Sequence, residues 1–102
     1  PGGAQAPAAD QVVEITAERF SFTPSQVCTT VGKVIEFRVE SEDTMHGFRI
    51  LGTDINVEVP KRGKGPAIVR FTPREPGKVI FECSHTCGAG HAFMRGEIVV
   101  SK

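Results

Sequence analysis

Ile35-Glu36-Phe37-Arg38-Val39-Glu40 alternates apolar and charged residues without a break, placing Ile35, Phe37 and Val39 on one side of an extended chain and Glu36, Arg38 and Glu40 on the other. A period of two belongs to a β-strand with one face in a core. The same phase returns at Ile55, Val57 and Val59, at Val69 and Phe71, and at Val79, Phe81 and Cys83. Turn-forming clusters separate these runs: Thr23-Pro24-Ser25, Val31-Gly32-Lys33, Leu51-Gly52-Thr53, Arg62-Gly63-Lys64-Gly65-Pro66 and Glu75-Pro76-Gly77. No window supports a helix. Seven or so short strands at this spacing predict an all-β fold, an antiparallel Greek-key β-sandwich or barrel.

The chain has 102 residues, about two-thirds of a typical domain of ~150, which allows a single core. With 39% hydrophobic and 24% charged residues the composition is globular. Twelve basic and twelve acidic side chains cancel, leaving no overall field to hold a phosphate backbone, so nucleic acid is not an expected partner. No apolar run approaches the ~20 residues of a membrane span, and the chain as given is expected to be soluble. Residues 1–10, PGGAQAPAAD, lack periodicity and read as a flexible lead without core contacts, leaving 11–102 as the domain. A first residue that is Pro1 suggests that something upstream was removed. Charge is uneven: Glu36 to Glu58 holds six acids and two bases, Lys61 to Lys78 six bases and one acid. Solvated strand faces of opposite sign account for this, with a docking patch as the alternative.

Chemistry concentrates in Cys83-Ser84-His85-Thr86-Cys87-Gly88-Ala89-Gly90-His91-Ala92-Phe93-Met94, where two thiols, two imidazoles and a thioether fall in one loop between two strands. Gly88, Ala89 and Gly90 allow the tight folding that brings such donors to one point. Upstream, Asp43-Thr44-Met45-His46-Gly47-Phe48 offers a further histidine, and loops from one end of a sandwich meet, so His46 can join the cluster. Alone, Cys83 and Cys87 also fit a disulfide, or with His91 and His46 a Cys2His2 zinc site. Thiolate and thioether with imidazole favour copper; a Cys, two His and an axial Met define a blue-copper site, and a second thiolate makes room for a second metal bridged by both sulfurs. The third thiol, Cys28, has no Cys or His neighbour and is expected to be a buried or half-buried free thiol, with an intermolecular disulfide as the alternative.

From about Val12 to Val100 the chain resembles the CuA domain of cytochrome c oxidase subunit II, most closely its ba3-type branch. The family motif, C-x-[E/Q/W]-x-C-x3-H-x2-M with a distant D-x-x-H-x-F, is matched by Cys83 to Met94 and by Asp43 to Phe48. The resemblance implies a cupredoxin-like fold in which Cys83 and Cys87 bridge two copper ions. His46 and Met94 complete one copper, His91 and the backbone carbonyl of His85 the other. It implies one-electron transfer with little rearrangement, from a soluble cytochrome c or small copper protein to the catalytic subunit of a haem-copper oxidase. The domain alone is then not an enzyme but part of an oxidoreductase complex, facing the periplasm or outer side of the membrane and held there through an anchor outside this sequence.

The sequence departs from the family in two places. His85 stands where the family has Glu or Gln; only its carbonyl is expected to bind. The aromatic patch with a Trp that receives electrons is absent, with Phe20, Phe22 and Phe93 as substitutes. The small or apolar residues Met45, Gly47, Ala89, Gly90, Ala92 and Phe93 suggest a low-charge docking patch near His91, with charges at its rim steering encounter. Two other readings are a mononuclear type 1 copper carrier using His46, Cys87, His91 and Met94, and a periplasmic copper-delivery protein; Gly88 in place of a proline and the absence of helical pattern speak against the latter.

Overall fold

The computed structural model describes residues 8–85 and 94–102. Among them are nine strands: β1 (Gln11–Glu18), β2 (Ser21–Thr23), β3 (Gln26–Thr30), β4 (Ile35–Ser41), β5 (His46–Ile50), β6 (Asn56–Val59), β7 (Ala67–Phe71), β8 (Gly77–Glu82) and β9 (Arg95–Ser101). One sheet has the order β2-β1-β4-β7 and the other β3-β9-β8-β5-β6. The fold is the all-β, cupredoxin-like sandwich expected, although its sheets are mixed rather than purely antiparallel. β1 runs parallel to β4, with Gln11 opposite Ile35 and Ala17 opposite Ser41. β3 runs parallel to β9, with Gln26 opposite Glu97. The cause is the early change of sheet: after the antiparallel β1–β2 hairpin the chain passes through Pro24 and Ser25 into the second sheet, so β3 pairs with neither β2 nor β4, and β1 and β3 each take a later strand as parallel neighbour.

Alternating residues fill the space between the sheets. Ile35, Phe37 and Val39 of β4 are fully buried, as are Phe48, Ile50 and Phe81 from the facing sheet. Phe22 and Phe37 on one sheet meet Phe48 and Phe81 on the other; Phe22 contacts Phe48 and Phe81 edge-on, at centroid distances of 5.8 and 5.4 Å. Such pairs add stabilisation of about 0.5–1.5 kcal/mol beyond the area they bury.

Three local expectations differ from what is found. Glu36, placed on the solvated face by its phase, is buried, because Arg38 Nε (2.8 Å) from its own strand and Arg70 Nε (3.1 Å) from β7 close over its carboxylate. These two hydrogen bonds hold the carboxyl below the usual carboxylate range. Cys28 is exposed, because Val27 and Thr29 occupy the inward phase of β3. Asp10, assigned to the lead, is tied to the domain: its N–H donates to Val34 O (2.9 Å) and its carboxylate accepts from Val34 N (2.8 Å). Residues 1–7 of the lead lie outside the described residues.

Strand registers set which residues share an end of the sandwich. His46 opposes Val59, Glu82 opposes both Arg49 and Arg95, and Ala17 opposes Ser41. The end of β4, the start of β5, the end of β6, the end of β8 and the start of β9 therefore meet at one pole.

Candidate metal centre

At that pole the chain between β4 and β5 turns on Asp43. The Asp43 N–H donates to Ser41 Oγ (3.1 Å), a serine turn, and Asp43 Oδ1 accepts from Thr44 N (2.7 Å), which together fix the loop locally. Two distant segments clasp the same residue: Arg19 N donates to Asp43 Oδ2 (3.0 Å) and Arg62 N to the Asp43 carbonyl (3.0 Å). Burial alone would raise the Asp43 carboxyl. The donors from Arg19, His46 and Thr44 outweigh it and hold the group below its ordinary value, so Asp43 is an ionised acceptor at neutral pH.

His46 is fully buried, and its Nε2 lies 2.7 Å from Asp43 Oδ1. An ionised carboxylate only accepts, so Nε2 carries a hydrogen, and in the neutral imidazole Nδ1 keeps its lone pair. That lone-pair nitrogen lies 4.0 Å from Cys83 Sγ, a residue 3% exposed at the end of β8. Cys83 Sγ lies 3.0 Å from the backbone carbonyl of His85 and accepts from the Gly47 N–H at 3.5 Å. The Cys83 N–H donates to the Met94 carbonyl (3.0 Å), which ties Met94, 1% exposed, to the same point of the fold.

The structure thus gathers His46, Cys83 and the His85 carbonyl around one sulfur, with Met94 joined to Cys83 through the backbone. The other two ligand candidates, Cys87 and His91, lie outside the described residues, as does Phe93. Among the described residues no three His, Cys, Asp or Glu side chains converge as a metal-holding group. The donor set there is one imidazole, one thiol and one carbonyl. A dry pocket of nitrogen, sulfur and oxygen donors, with the imidazole oriented by a carboxylate, fits a soft transition metal such as copper.

One residue that the sequence placed only in the low-charge patch shapes this site. A methyl group on Gly47 would overlap Ser84 Oγ and approach the His85 amide nitrogen to 2.8 Å. Only glycine lets the chain after β8 lie against β5 closely enough to put Sγ and the His85 carbonyl where they are. The available signal was a glycine inside a strand pattern directly after a candidate ligand. Of the aromatic substitutes, Phe22 is in the core, whereas Phe20 is 38% exposed on the β1–β2 turn beside Arg19.

Similarity to known proteins supplies the family. Over 90 residues, 88% of the chain, it is 38% identical to cytochrome c oxidase subunit 2 of Thermus thermophilus. The chain belongs to the cytochrome c oxidase subunit II family, as its CuA domain. It spans 65% of the length of that Thermus subunit II. A heme-copper terminal oxidase solved by cryo-electron microscopy contains a chain 30% identical to it, with a TM-score of 0.77 over 90% of this chain and 65% of that one. The periplasmic domain of subunit II from Bradyrhizobium japonicum shares the fold, with a TM-score of 0.84 at 21% identity over 96% of this chain and 88% of that domain. No family model matches the chain.

Proposed function

We propose that this chain carries electrons through a pair of copper ions, from a soluble cytochrome c or small copper protein to the haem-copper catalytic subunit of a terminal oxidase. The observation that carries this reading is the meeting of His46 Nδ1, Cys83 Sγ and the His85 carbonyl in a space without solvent exposure at His46. His46, Cys83, the His85 carbonyl, Cys87, His91 and Met94 would hold the metal. Bound there, copper would supply a one-electron couple without proton transfer.

The chain's own part is orientation and exclusion of water. Asp43 fixes the His46 ring, the Gly47 N–H meets the sulfur that carries negative charge as a ligand, and the Phe48 and Phe81 rings pack the core beneath. A scaffold that holds donors in the same place in both oxidation states keeps the rearrangement on electron transfer small. The domain supplies no general base or substrate pocket in this reading, and the oxidase chemistry belongs to the partner subunit. Its place is the periplasm or the outer face of the membrane; among the described residues no helix is long and apolar enough to cross one.

A mononuclear type 1 site would make Cys83 a spectator. The packing of its sulfur against His46 supports a ligand role instead. The test is copper counted per chain after reconstitution, with the EPR spectrum: two coppers and splitting by both nuclei support the dinuclear site, whereas one copper and splitting by a single nucleus overturns it.

A further inference from the structure

The basic run from Lys61 to Lys78 is divided by the fold. Arg70 is engaged with Glu36, Lys78 approaches Glu97 at 3.9 Å, and Arg74 lines a cleft with Leu51, Pro73 and Val79 at the pole opposite His46. Lys61, Arg62 and Lys64 remain on the turn between β6 and β7. All three are exposed, and none has an ion-pair partner among the described residues.

This turn is close to the candidate metal centre. The Arg62 N–H is bonded to the Asp43 carbonyl, and the Asp43 carboxylate to the His46 ring. Val59, just before the turn, is the register partner of His46. The turn is also held in shape, by Lys64 N donating to Lys61 O at 3.0 Å. The acids of the same pole, the ionised Asp43 and the exposed Glu18, Glu42 and Glu58, are spread along the chain, whereas the three cations fall within four consecutive residues. Net charge of zero over the whole chain conceals this local positive rim.

We infer that Lys61, Arg62 and Lys64 form the docking rim for the acidic face of a soluble redox protein, which the turn orients toward the His46 side of the metal centre. The inference rests on the electron-transfer reading and adds the charge of the donor. In the encounter the donor loses one electron, the metal centre gains it, and no bond or proton moves. A cluster of like charges beside a low-charge contact raises association rates by an order of magnitude or more and is screened by salt.

The experiment follows reduction of the copper-loaded chain in a stopped-flow instrument by a strongly acidic and a strongly basic c-type cytochrome, both pre-reduced, over a range of ionic strength. The acidic cytochrome should react faster at low salt, with a rate constant falling about tenfold as salt screens the rim. The charge-reversed Lys61→Glu, Arg62→Glu, Lys64→Glu variant should slow it by about tenfold at low salt and little at high salt. A control with the same charge change at the opposite pole, Lys33→Glu, Arg74→Glu, Lys102→Glu, should stay within about twofold of the parent. Equal slowing in both triple variants, a rate indifferent to salt, or preference for the basic cytochrome overturns the docking assignment while leaving the electron-transfer reading intact. A chain that takes up copper but is reduced by neither cytochrome overturns that reading and the inference together.

Discussion

The backbone N–H of Gly47 lies 3.5 Å from the Sγ of Cys83, thirty-six positions further along the chain, and the approach depends on Gly47 having no side chain. Gly47→Ala should therefore force Ser84 and His85 away from β5. The expected loss is about 1–3 kcal/mol, the usual range for overpacking, read as a lowered urea midpoint. Because the nearest atom is Ser84 Oγ, Gly47→Ala with Ser84→Gly should recover part of that loss. Full stability in the single variant would refute the close approach.

Asp43 is the shared acceptor for the Arg19 amide and the His46 ring. Asp43→Ala should leave a buried imidazole N–H without a partner and destabilise the chain by about 1–3 kcal/mol. Copper affinity, measured against a competing chelator, should fall about 10- to 100-fold, as it does when the group behind a metal-bound histidine is removed. Asp43→Asn, which keeps an acceptor oxygen, should lie between the two. Identical chelator competition for all three proteins would show that His46 does not need its carboxylate.

His85 is exposed, and only its carbonyl faces Cys83 Sγ. His85→Ala should keep copper stoichiometry and the visible spectrum of the parent. A missing copper in the variant would make the imidazole itself a ligand.

Glu36 gives the fold a dependence on acid. Its hydrogen bonds to Arg38 and Arg70 lower the carboxyl in the folded state, so the native protein binds fewer protons there than the unfolded chain does. The corresponding stability is present above the unfolded pKa and is lost as pH falls through the lower folded value. Glu36→Gln should unfold at lower urea than the parent near neutral pH, and the gap should close as pH drops below the usual carboxylate range. Arg38 is 47% exposed, so the effect is screened and modest. A gap that stays constant with pH would mean the charge plays no part.

What was legible in the sequence followed from local pattern. The alternation at β4 and the phase shared by Val79, Phe81 and Cys83 identify faces, and the same phase carries Cys83 to the buried end of β8. Cys28 was legible too, since Val27 and Thr29 take the inner phase of β3; the expectation of burial came from residue type and yields to position. Glu36 was not legible, because its burial depends on Arg70, a residue that only the pairing of β4 with β7 brings near. The parallel neighbours were hidden for the same reason. An alternating pattern says which side of a strand is apolar and nothing about which strand lies beside it. The site divides likewise: donor types and order can be read locally, whereas the clasp of Arg19 and Arg62 on Asp43 exists only in the folded chain.

The distance in sequence between His46 and Cys83 also sets an order of events. These residues become neighbours through the β5–β8 pairing, which closes a long loop, the slow kind of step in a β-protein. Before that closure the chain can offer a metal only the donors of one segment. The full donor set of the proposed centre therefore exists only once β5 and β8 have paired, and by then the His46 imidazole is already under cover.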